Sequence, residues 1–182
     1  ESYDVTINKT ISYVLKEIAD ITVDTPLTNE ILLKFKSTGG FNDEIDITYA
    51  GILCFIAAKK LNKNPTEFIS EVLDNADDSG IVYAENFLSK INVDISDVKA
   101  RLGYPSTDKN DLIHSTFDQL FFGPELYSKI FQKKSKFSEK GFIENDNVIV
   151  NSELIEALKK KFNNKIAIVT GRGFNAISSS LK

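Results

Sequence analysis

Thr170, Gly171 and Arg172 are the residues whose types and spacing point most directly to chemistry. They follow Ile166-Ala-Ile-Val169, a short unbroken apolar run that reads as a strand buried on both faces of a parallel sheet. Beyond them comes a Ser-, Asn- and Gly-rich segment that reads as a loop entering a helix. A hydroxyl and a glycine between such a strand and such a helix make a seat for an anion. Arg172 adds a charge-assisted contact, and it counts because only Arg101 and Arg172 are arginines in this lysine-rich chain.

A second candidate is Lys36-Ser-Thr-Gly39-Gly40-Phe41-Asn42-Asp43. Gly39 suits the left-handed residue that ends a helix, and Asp43 suits the cap of the next. A helix–Gly-Gly–helix corner aimed at a ligand would present Lys36 and Asn42, and Lys36 would favour an anionic group. Other reactive side chains read as structural. His114 stands on a helix without a metal-ligand partner, and Cys54 reads as a small core residue. Asp74, Asp77 and Asp78 do not follow a calcium loop and read as a solvated helix end.

The elements that must position these groups are mostly helical up to about Phe137. Ile7, Ile11, Val14, Leu15 and Ile18 recur at three- and four-residue steps and form one apolar stripe. Thr25-Pro26 and Asn64-Pro65 read as N-caps followed by proline at the first helical position. Helices are expected near 81–92, 96–102 and 112–121, and Pro124 opens one more. Lys133-Lys134-Ser135-Lys136 reads as a solvated linker. The character then changes. Val148-Ile149-Val150 reads as a short extended piece, Ser152 caps a helix to about Phe162, and the strand at Ile166 follows. Helix, buried strand and helix in that order predict a fragment of an α/β layer fold. The boundary is expected between roughly 135 and 150, giving a helical domain over 1–137 and a partial α/β domain over 138–182.

Bulk properties narrow the partners. The 182 residues carry a net charge of −4, which provides no general basic field for nucleic acid or an anionic membrane. The longest apolar stretch, around Tyr49 to Ala58, is too short to cross a bilayer. A single cysteine forms no internal disulfide and points to a reducing cytoplasm. No methionine occurs, as in a processed chain, an excised fragment or a sequence lacking a modified residue. Val169-Thr170-Gly171 also begins a dinucleotide-binding pattern, but Asn175 and Ile177 stand where its further glycines belong.

A long helical stretch followed by Ile166-Ala-Ile-Val-Thr170-Gly171-Arg172 resembles haloacid-dehalogenase (HAD) superfamily hydrolases with a helical cap. Phe35 to Asp43, with Asp46-Ile-Thr48 after it, sits where capped members place their substrate-specificity loop. Its Gly-Gly-Phe-Asn-Asp form is similar to a subgroup related to phosphoglycolate phosphatases. Glu1-Ser2-Tyr3 resembles the residues where the chain of that family enters its cap.

The resemblance implies an α/β, HAD-like fold: a mostly helical cap plus a partial Rossmann-like core. It implies a Mg2+-dependent phosphohydrolase acting on a small phosphorylated metabolite. Thr170, Gly171 and Arg172 would bind the phosphoryl group, and Lys36, Gly39, Gly40, Asn42 and Asp43 the rest of the substrate. The family's Asp-x-Asp nucleophile motif, its lysine and its Mg2+-holding acidic pair have no counterpart in this sequence. The catalytic Asp is expected upstream of Glu1, and this chain alone is not expected to turn over substrate. The alternative is a non-catalytic helical interaction domain with an α/β appendage.

Overall fold

The computed structural model describes residues 2–41, 43–106, 110–146 and 151–167. The chain forms two compact units, Glu1–Asn145 and Asp146–Lys182. In the first, helices α1 (Ser2–Ala19), α2 (Asn29–Ser37), α3 (Glu44–Lys60), α4 (Pro65–Leu73), α5 (Ile81–Lys90), α6 (Ser96–Leu102) and α7 (Leu112–Phe131) precede a 3-10 turn at Phe142–Asn145. The second contains α8 (Ser152–Lys161).

Helix α3 is the axis of the first unit. Every residue from Ile47 to Ala58 is buried, the signature of a helix that is apolar all round and wrapped on every side. Helices α1, α4, α5 and α7 pack against it. The α1 stripe meets it as the spacing requires: Ile7, Ile11, Val14 and Leu15 are fully buried. At the far end of α1, Arg101 donates to the carbonyls of Ile18 and Glu17, placing positive charge at a helix C-terminus.

Local cap signals form as physical chemistry dictates. Asp43 Oδ1 accepts from the Ile45 amide at 2.7 Å, and Asn64 Oδ1 accepts from Glu67 at 3.2 Å with Pro65 in the first turn. Thr25-Pro26 does not open α2. Thr28 caps it instead, because Leu27 is drawn into the core and its amide donates to Asn8 Oδ1 at 2.8 Å. That anchor keeps residues ahead of Thr28 out of the helix. Similarly, Asn151 rather than Ser152 caps α8, accepting from Leu154 at 2.9 Å. The Lys133–Lys136 stretch is tied down: the Lys136 amide donates to the buried Gln119 Oε1 at 2.7 Å, and Phe137 meets Tyr13 edge-on.

The expected α/β layer is overturned. The structure is all-helical, with no strand among the described residues. Ile166 and Ala167, which should open the buried strand, lie outside any element, and Ile166 is 46% exposed. Helix α8 has no buried residue either, and Leu154, Ile155 and Phe162 face solvent. A short apolar run becomes an interior strand only when neighbouring strands supply its ladder bonds. Among the described residues no strand supplies them. Val148–Val150 and residues 168–182 lie outside the described residues.

One core position carries a cost. Thr10 is fully buried, and among the described residues its Oγ1 meets no hydrogen-bond partner. A lone buried hydroxyl costs about 1–3 kcal/mol. Thr10→Val keeps the shape and removes the polar atom. It is expected to raise stability by about 1 kcal/mol, a gain of roughly 2–4 °C in a melting experiment.

Candidate functional site

Two groups of side chains stand out, and α3 joins them. The first is the α2–α3 loop. Thr38 Oγ1 donates to the Phe35 carbonyl at 2.9 Å and accepts from the Gly40 amide at 3.3 Å, closing the end of α2. Gly39 follows with φ +81°, the left-handed conformation that favours glycine. Phe41 is 2% exposed and packs edge-on to Phe35 with centroids 4.9 Å apart. Lys36 reaches across to Asp4 of α1 at 2.6 Å, with both side chains partly exposed. An ion pair this open is worth about 0–1 kcal/mol, so Asp4 holds Lys36 only weakly.

The second group lies around the first turns of α3. Tyr104 donates to Asp46 Oδ1 and stacks edge-on against Tyr49, with ring centroids 5.1 Å apart. Tyr49, fully buried, donates to Glu85 Oε1 at 2.6 Å, and Lys99 pairs with Glu85 Oε2 at 2.6 Å. On the other side His114 lies 5.6 Å from the Tyr104 ring, and its Nδ1 meets Asp111 Oδ2 at 2.7 Å. Asp111 also caps α7 through the Ile113 and His114 amides.

Electrostatics follow from burial. Burial raises the proton affinity of Asp46, opposed by the Tyr104 hydroxyl, increased by Asp43 and opposed by His114. The Tyr104 and Tyr49 hydroxyls are both pushed up, first by burial and then by donation to Asp46 and Glu85. Both tyrosines therefore stay protonated donors across the physiological range. The arrangement fastens the α6–α7 connection to α3 and concentrates carboxylates where α3 begins.

A stability consequence follows. A raised Asp46 means the folded chain holds that proton more tightly than the unfolded chain does. Stability from this group is therefore complete below the ordinary carboxylate value of about 4 and falls as pH rises through the raised folded value. Asp46→Asn keeps an acceptor for Tyr104 without the charge. Urea titrations between pH 4 and 7 are expected to show a flatter pH dependence for this variant than for the parent.

The structure places Lys36 in the last turn of α2, Gly39 and Gly40 in the α2–α3 loop and Asp43 at the cap of α3, and Asp43 is close enough to raise the proton affinities of Asp46 and Tyr104. Asn42, Thr170, Gly171 and Arg172 lie outside the described residues. Cys54 is buried in α3 and its thiol is pushed up to about 12 by burial, which makes it inert. Asp74 pairs with Lys34, and Asp77 accepts from the Ser79 amide at 2.9 Å. No group of three or more His, Cys, Asp or Glu side chains placed to hold a metal ion occurs among the described residues. No helix among them is long and apolar enough to cross a membrane.

Sequence reading missed the partner of His114. Asp111 lies three residues earlier, one helical turn away, and that spacing was the available signal. Tyr104 and Asp46 are 58 residues apart, and no local pattern joins them. No protein-family model, curated protein or solved structure matches this chain.

Proposed function

We propose that this chain is part of a Mg2+-dependent phosphohydrolase that acts on a small phosphorylated metabolite, with its helical unit contributing substrate recognition. One observation within that unit carries the reading: the first turn of α1 meets the middle of α7 and the last turn of α2, which leads into the Gly-Gly loop. Tyr3 stacks on Phe121 with centroids 4.6 Å apart, and its neighbour Asp4 holds Lys36 in the last turn of α2. Gly141, just ahead of the 3-10 turn, presses against Phe122 and Gly123. A lysine in an open ion pair beside a Gly-Gly loop suits recognition of an anionic substrate group.

The chemistry divides between two sets of residues. Thr170 Oγ, the Gly171 amide and Arg172 would stabilise charge on the phosphoryl oxygens. Lys36 would recognise an anionic group on the remainder of the metabolite. Mg2+ would neutralise the phosphate, and a carboxylate outside this sequence would act as nucleophile. The net charge of −4 and the lone Cys54 support a small-molecule substrate in a reducing cytoplasm over a nucleic-acid partner.

The test is phosphate release by the complete gene product from a panel of phosphate esters. Turnover that requires Mg2+ and stops on chelation is the expected result. An Asp-x-Asp pair absent from the residues preceding Glu1, or no ester turned over, would defeat it.

A further inference from the structure

We infer that Gly80, at the end of the α4–α5 turn, is a positioning residue for the α2–α3 loop, setting how that loop is held toward a phosphorylated substrate. The functional half of this rests on the hydrolase reading; the structural half stands on backbone geometry. A Cβ placed on Gly40 would lie 2.5 Å from the Gly80 nitrogen and 2.6 Å from the Asp77 carbonyl oxygen. A Cβ on Gly80 would lie 2.2 Å from the Gly40 carbonyl oxygen. Both contacts are backbone against backbone, so no rotamer change relieves them. Gly80 also has φ +59° and ψ −119°, outside the regions that L side chains favour.

The turn that presents Gly80 is itself braced. Asp77 accepts from the Ser79 amide and hydroxyl, which holds its carboxyl below the usual range. Lys34 joins α2 to α4 through Ser70 Oγ at 2.7 Å and Asp74. The loop is therefore fixed from one side by the α4–α5 turn and from the other by the Lys36–Asp4 pair. Gly40 resting on Gly80 sets the path of the chain just after the turn of α2 that carries Lys36.

The test compares Gly80→Ala and Asp77→Ala with the parent in the complete gene product. Hydrogen exchange is followed on amides 38–41 and 43–45, with α7 as internal reference. Turnover of 4-carboxyphenyl phosphate, whose leaving group carries a carboxylate, is measured with Mg2+ alongside. Loop protection is expected to fall about tenfold in both variants while α7 is unchanged, and KM to rise about tenfold with kcat within about twofold. Unchanged loop protection, or an equal loss in loop and α7, would overturn the positioning role. Should Gly80→Ala fail to fold, the Asp77→Ala exchange decides it. Loop loosening with an unaltered KM would overturn the role toward substrate, and a parent without turnover would defeat the hydrolase reading while the exchange result still judges the geometry.

Discussion

Thr170→Ala in the complete gene product is expected to lower kcat on its phosphate ester by about 10²–10³-fold, the usual effect of deleting one donor to developing charge. KM should change far less, because a hydroxyl aimed at transition-state oxygens contributes little to ground-state binding. Thr170→Ser is the discriminating control. It retains the hydroxyl and loses only a methyl group, so it should keep most of the activity. If Thr170→Ala and Thr170→Ser behave alike, the hydroxyl has no part in the reaction.

A large stability effect is expected at Gly123. It interrupts α7 with φ 71° and ψ 171°, ahead of Pro124, and there the chain turns to let Gly141 approach. A Cβ on Gly123 would lie 2.3 Å from the Gly141 nitrogen and 2.8 Å from its Cα. Alanine at this position combines a left-handed backbone cost of about 1–2 kcal/mol with overpacking of about 1–3 kcal/mol. The sum, about 3 kcal/mol, corresponds to a melting temperature lower by roughly 6–12 °C. Gly39→Ala separates the two contributions. Its φ of +81° also carries a positive-φ cost, but an added Cβ meets nothing within 4 Å. It should lose only about 1–2 kcal/mol. Equal losses at the two sites would remove the steric part of the explanation.

Legibility in the sequence divided along the range of the interactions involved. The Asp43 and Asn64-Pro65 caps and the α1 stripe were readable because each is decided within one or two turns. Thr25-Pro26 carried a sound local signal that lost to burial of Leu27, a tertiary event. Ile166 to Val169 illustrates the reverse. Four apolar residues show no period, so their assignment depended on a sheet that the described residues do not contain. In the candidate site, Lys36 to Asp43 was visible as a Gly-Gly corner. Its hold on Gly80, the Lys36–Asp4 pair and the Asp46–Tyr104 bond join residues 32 to 58 positions apart, where sequence spacing is silent.

The proposed recognition by the α2–α3 loop bears most directly on one measurement: kcat/KM for two phosphate esters, one with a carboxylate on its leaving group and one neutral, in the parent and in Lys36→Ala. The parent should favour the anionic ester, and Lys36→Ala should lose about tenfold of that preference, the worth of a charge-assisted contact, while the neutral ester is turned over as before. An unchanged preference in Lys36→Ala, or no turnover of either ester by the parent, would contradict it.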